Sequence, residues 1–237
     1  MLQLKPISSL SIDPLEPKRL RVVLATIVIN VVAVLLLTKV AWSDWRTGLA
    51  LNLFDNALLV GFVLLHHDGL LARLLLFGVV VGFAELPADA WLVEHTRTLD
   101  YAIGGGPMIW RSPIWMPIAW EIVAVQFGYL GLRLREHFGP FGWLITGVLG
   151  AINIPFYEEM ARRIHWWQYS NCRMISGTPY YIIVAEFFIA VEFAWLVRKF
   201  RQGTGAGTVL AGLMAGVAIF LSCAMAYGLT DRLIRRS

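Results

Sequence analysis

Seven apolar runs, each close to 20 residues long, set the limits on this chain: roughly 22–42, 47–65, 74–93, 113–133, 140–158, 178–197 and 206–228. About 20 apolar residues in a helix cover the roughly 30 Å of a bilayer's hydrocarbon at 1.5 Å per residue. The runs therefore predict an all-α, polytopic membrane protein with seven transmembrane helices, a single integral membrane domain over 1–237. On this reading 1–21 is a polar N-terminal leader, 22–228 the seven-helix bundle and 229–237 a basic tail. Composition agrees, with 58% apolar residues and only 15% charged, against roughly 25% charged in a soluble domain. The net charge of +4 belongs to the rims of the spans, so nucleic acid is not an expected partner; membrane lipids are. The first run is too long, and lacks the small-residue cleavage pattern, for a signal peptide, and the leader with Pro6, Pro14 and Pro17 is expected to be retained. Two cysteines, Cys172 and Cys223, make no disulfide framework.

Seven crossings put the termini on opposite faces, side A for the N-terminus and side B for the C-terminus. Lys and Arg number ten on each side, so the positive-inside rule returns no orientation. Most connections are short. The two long ones, 94–112 and 159–177, both lie on side B and are rich in Trp, Tyr, Arg and Gly, which is where a compact membrane protein is expected to carry its function. Within the second, PFYEEMARRIHWWQY reads as a short helix near the membrane surface. Its Glu158/Arg162 and Glu159/Arg163 spacings suit i,i+4 pairs on a solvated face. Laying 108–121 over 174–187, an offset of 66, aligns Met108/Met174, Ile109/Ile175, Pro113/Pro179 and Ala119/Ala185. In both copies a Ser/Thr-Pro pair opens a span, as suits proline in a first helical turn. The match predicts a parallel internal repeat, spans three plus four over five plus six.

Acids inside the spans carry the functional signal. Asp55, Glu85, Asp89, Glu121, Glu186 and Glu192 fall within them, and no Lys or Arg lies at comparable depth. A carboxylate at the bilayer centre costs about 2.5–3.5 kcal/mol on insertion scales, so six of them call for a shared explanation. Asp55, Glu85, Glu121 and Glu186 each sit about eight residues, or roughly 12 Å, from the side B rim. That coincidence predicts a polar chamber open toward side B, whose carboxyls serve as general acid, base or proton relay. Polar glue between helices, beside Asn30, Asn52 and Asn56, is the alternative use of the same residues. Trp120, Tyr101, Trp115, Tyr169 and Tyr181 are the expected substrate-binding rings, able to stabilise a developing cation. Trp110, Trp166 and Trp167 suit an interfacial aromatic belt.

Several chemistries are not expected. The five histidines lie outside the deep parts of the spans, the last span has no Lys for a retinal Schiff base, and no close ligand spacing supports a metal. Gly104, Gly105 and Gly106 before Pro107 form a turn without the Lys-Ser/Thr of a phosphate loop. Neither metal nor cofactor is expected.

The order of these features resembles the membrane carotenoid hydratases and the wider carotenoid-biosynthesis membrane family. There, an acid near the end of one span is followed by Thr, Tyr, Gly-Pro, Pro, Ile-Pro and Trp; here Glu85, Thr98, Tyr101, Gly106-Pro107, Pro113, Pro117 and Trp120 follow in that order. A later block, Trp166-Trp167, Tyr169, Gly177 and Pro179, is similar as well. The likeness covers about residues 80–190, and LPADAWLVEH stands where that family is Gly-rich. Small heptahelical membrane terpene cyclases are a second resemblance. Both imply acid-initiated hydration or cyclisation of an isoprenoid or carotenoid-like lipid. Glu85 or Asp89 would protonate an alkene, and Glu121 or Glu186 would position water or remove a proton. The alternatives are a seven-helix carrier or proton-coupled transporter, and an accessory subunit of a larger membrane complex. Oligomeric state and orientation stay open at this level.

Overall fold

The computed structural model describes residues 13–201 and 203–232; the remainder of the leader and Arg235 and Arg236 of the basic tail lie outside them. Among the described residues the regular structure is helical apart from short two-residue strands in the two long loops. Its helices are α1 (Glu16–Leu37), α2 (Trp45–His66), α3 (Gly69–Ala84), α4 (Leu86–Ala90), α5 (Met116–Phe138), α6 (Phe141–Ile164), α7 (Tyr180–Phe200) and α8 (Gly205–Tyr227). Among the described residues five helical segments are long and apolar enough to cross a membrane: α1, α2, the stretch Gly69–Thr96 through α3 and α4, α7, and α8 with its extension to Asp231.

Local chemistry sets the boundaries. The Asp44 carboxylate accepts the Arg46 N–H at the start of α2, and Asp68 accepts those of Leu70 and Leu71 at the start of α3, satisfying N–H groups that have no partner within the helix. Pro87 has no N–H to continue the ladder, so the third segment breaks at Glu85 between α3 and α4. A π-helical stretch, Trp91–Thr96, then ends on Arg97 in the left-handed conformation. The surface helix expected near 155–169 is not separate. Pro155 lies inside α6, which runs on to Ile164 before His165 ends it in the same left-handed way.

Glycines let the helices approach closely, as in other membrane bundles. A Cβ on Gly82 of α3 would lie 2.0 Å from the Pro117 carbonyl oxygen of α5, and one on Gly78 would lie 2.7 Å from that of Glu121. Gly212 and Gly216 of α8 meet Val80 and Ala84 of α3, while Gly150 of α6 meets Glu186 and Ala190 of α7.

The two long loops share a design. In the first, β2 (Met108–Ile109) pairs antiparallel with β3 (Ser112–Pro113), Met108 opposite Pro113 and Ile109 opposite Ser112. In the second, β5 (Met174–Ile175) pairs with β6 (Thr178–Pro179), Met174 opposite Pro179 and Ile175 opposite Thr178. These registers coincide at the offset of 66, and the turn residues Trp110 and Ser176 both have positive φ, 53° and 56°. Between the loops, β1 (Leu99–Asp100) pairs antiparallel with β4 (Gln168–Tyr169).

Candidate active site

A cavity of about 170 Å³ opens among the side B halves of the helices. Four carboxyl-bearing residues line it: Glu85 at the α3–α4 break, Asp89 one turn on, Glu158 of α6 and Glu186 of α7. Their environments differ. Asp89 accepts hydrogen bonds from the Tyr101 hydroxyl and the Ser112 hydroxyl, both at 2.7 Å. Glu158 accepts from Trp167 Nε1 at 2.5 Å and from the Tyr169 hydroxyl at 3.3 Å. Glu85 is fully buried, and neither of its carboxyl oxygens has a hydrogen-bond partner. Burial, reinforced by Asp89 and Glu85, pushes the Tyr101 phenol well above its ordinary range, and burial with Glu158 does the same to Tyr169; both tyrosines stay neutral donors.

Indole rings cluster in the same wall. Trp115 lies 5.3 Å from Trp166 and 6.0 Å from Trp167, centroid to centroid, and Trp166 and Trp167 are 6.1 Å apart. Trp166 Nε1 donates to the Asp44 carbonyl and to the Thr47 hydroxyl, each at 3.1 Å, which holds that ring edge-on to α2. Trp115 fits because residue 48 is glycine: a Cβ there would stand 2.8 Å from the indole. Trp120, Tyr101 and Tyr169 also line the cavity, together with the amides of Asn30, Asn52, Gln126 and Asn153.

The structure divides the residues expected from sequence. Glu85, Asp89, Glu186, Trp120, Tyr101, Trp115 and Tyr169 converge on the cavity; Asp55, Glu121 and Tyr181 do not line it. Asp55 stands one step behind the wall, where its carboxylate accepts from the Asn30 amide, the group that does face the cavity. Glu121 turns toward Asn56 and packs on Gly78 at the α3–α5 contact. Tyr181 is fully buried and hydrogen bonds through its hydroxyl to that of Thr98 at 2.7 Å. Position counted along a helix carries no information about rotation around its axis, and rotation decides what a side chain faces.

Glu158 was missed, read as part of a solvated face. Glu159 takes both arginines, accepting from Arg162 at 2.9 Å and Arg163 at 2.7 Å, and Glu158 points inward. Neighbouring helical residues point about 100° apart, so with both arginines on Glu159 the Glu158 side chain is turned away from that face; the i,i+4 spacing alone carried no signal for which glutamate the arginines take. Trp166 and Trp167 were likewise assigned to the interfacial belt but line the cavity; only Trp110, 59% exposed, keeps that placement.

At the opposite end lies a dense ionic cluster. The buried Arg19 bonds to Asp68 at 2.7 Å, Glu16 at 2.7 Å and Asp13 at 3.0 Å. Glu16 in turn accepts from Arg133 at 2.8 Å and from the Tyr129 hydroxyl at 2.5 Å. Against burial, the Leu15 N–H and Arg19 hold the Asp13 carboxyl below its ordinary range. The cluster ties the side A ends of α1, α3 and α5 together. Among the described residues no group of His, Cys, Asp and Glu is arranged to hold a metal ion.

The chain belongs to a family described as a domain of unknown function (DUF6989), which matches residues 86–230, more than half of its length. No curated protein and no solved structure matches it. The matched region begins one residue after Glu85 and contains Asp89, Glu158 and Glu186.

Proposed function

We propose that the chain is an integral membrane enzyme that performs acid-initiated hydration or cyclisation of an isoprenoid or carotenoid-like lipid. Seven helices cross the membrane on this reading, α5 and α6 among them, and α3–α5 and α6–α7 form a parallel repeat about an axis near the membrane normal. The matched hairpin registers and the antiparallel β1–β4 pairing between the loops favour that arrangement. A lipid-soluble polyene enters the cavity. The carboxyl proton of Glu85, whose oxygens have no hydrogen-bond partner, adds to one alkene carbon, and the π pair becomes the new C–H bond. The indole faces stabilise the cation left on the adjacent carbon. Glu158 or Glu186 then accepts a proton, either from attacking water, giving hydration, or from a neighbouring C–H, giving a new double bond after cyclisation. No step calls for a redox cofactor.

The observation that carries this reading is the composition of one cavity wall: four carboxyl groups, four indoles, and no Lys, Arg or His among the described residues. A proton-coupled carrier would need a path to both faces, and the Arg19 cluster ties helix ends together on side A. The test uses the purified protein in nanodiscs with lycopene and squalene in D2O, followed by mass spectrometry of the extracted lipid. Carbon-bound deuterium should appear with the wild type and vanish with Glu85→Gln, which preserves volume and hydrogen bonding but donates no acid proton. Absence of deuterium with the wild type, or full incorporation by a folded Glu85→Gln protein, overturns the reading.

A further inference from the structure

Charge in the cavity is one-sided. Glu85, Asp89, Glu158 and Glu186 reach its wall, and among the described residues no cationic side chain does. Asp89 and Glu158 are each served by two neutral donors. Glu85 is not: its two oxygens are buried and unpartnered. Buried polar atoms are ordinarily hydrogen-bonded or paired, so an orphaned carboxyl on a residue of the cavity wall points to a ligand that supplies the partner.

The remaining wall says what kind of partner. Trp115, Trp166 and Trp167 lie within 5.3–6.1 Å of one another, and the Trp166 and Trp167 rings are pinned by their indole N–H bonds. Clustered aromatic rings facing carboxyls recognise quaternary ammonium groups through the negative faces of the rings. Leu92, Ile182 and Ile219 complete the lining with apolar surface, suited to an alkyl chain.

We propose that this cavity binds a lipophilic organic cation of the alkylammonium class, with Glu85 as its counter-ion and Trp115, Trp166 and Trp167 as its aromatic cage. This goes beyond the isoprenoid reading, because an ammonium holds permanently the positive charge that a carbocation carries only in passing.

The experiment compares two probes of nearly identical shape, dodecyltrimethylammonium and its uncharged carbon isostere 2,2-dimethyltetradecane, below the detergent's micellar range. Each is titrated by tryptophan fluorescence into the full-length protein in phosphatidylcholine nanodiscs, with empty nanodiscs correcting for partition into lipid. The ammonium should bind saturably and about tenfold or more tighter than the isostere, a difference of about 1.4 kcal/mol. Glu85→Gln should remove most of that preference, and Trp115→Leu should weaken ammonium binding while sparing the isostere. Equal affinity of the two probes for the wild type overturns the proposal, and that comparison does not depend on any variant folding. An unchanged preference in a folded Glu85→Gln protein overturns it too. The two readings separate: wild type that selects the ammonium but puts no deuterium into squalene or lycopene supports this inference and removes the isoprenoid one. Deuterium incorporation without ammonium selectivity does the reverse.

Discussion

Replacing Gly82 by alanine should cost stability through one contact, the approach of α3 to α5. A methyl group there would begin 2.0 Å from the Pro117 carbonyl oxygen, 2.7 Å from its carbon and 2.9 Å from its Cα. All three are backbone atoms in the first turn of a helix, so no side chain can rotate away. Restoring even a tight 3.0 Å contact requires the two helices to part by about 1 Å, a gap that forfeits up to about half of the dispersion energy at each neighbouring contact. Overpacking of this kind costs about 1–3 kcal/mol. Gly61→Ala in α2 is the matched control, because nothing lies within 4 Å of the added methyl. Both changes gain up to about 1 kcal/mol of helix propensity, and the difference between them isolates the packing cost. Thermal unfolding of the detergent-solubilised protein should place Gly82→Ala below Gly61→Ala by at least about 2 °C, at about 2–4 °C per kcal/mol for a chain of this size. The separation should also widen the cavity, since Gly82 lies one turn before Glu85. Equal melting temperatures for the two variants would refute the close-approach account.

Three other outcomes follow from the same structure. Arg19→Met should destabilise by about 3–5 kcal/mol, because it leaves the buried Asp68 carboxylate without its cation; a melting shift within 1 °C of wild type would show the cluster to be dispensable. Trp167→Phe keeps a ring but removes the donor to Glu158, a charge-assisted bond worth about 1.5–3 kcal/mol, so stability should fall more than in Trp110→Phe on the exposed hairpin turn. The buried phenols of Tyr101 and Tyr169 are shifted upward, whereas in the unfolded chain they ionise near about 10. Their contribution is therefore whole below pH 10 and is lost as the pH rises above it. Melting temperatures from pH 8 to 11 should fall less steeply for Tyr169→Phe than for wild type, and parallel curves would contradict this.

The helical, membrane-spanning character and the two long loops were legible in the sequence because they depend on runs of residues along one axis, although five segments among the described residues, not seven, are long and apolar enough to cross a membrane. The helical rotation of single residues was not legible. Asp55 and Glu121 bond to Asn30 and Asn56 and do not line the cavity, and telling Glu158 from Glu159 required knowing which side of α6 faces the bundle. The offset of 66 in the sequence did mark two hairpins of the same register. It did not reveal that β1 and β4 join the loops, since two-residue strands carry no periodicity of their own.

That joining explains how the acids acquire their partners. Each long loop folds back over the helix that precedes it: Tyr101 and Ser112 return to Asp89, and Trp167 and Tyr169 return to Glu158. A proline lies shortly before each acid, Pro87 ahead of Asp89 and Pro155 ahead of Glu158. Proline cannot donate to the preceding turn, so both helices are weakened next to the residue that the cavity uses. β1 and β4 hydrogen bond across the two loops, so a displacement of one loop strains the donors of the other. Glu85 is the exception, buried beside this framework with no donor reaching it. The framework holds two of the four cavity carboxyls, Asp89 and Glu158, by hydrogen bonds and leaves Glu85 for whatever enters the cavity.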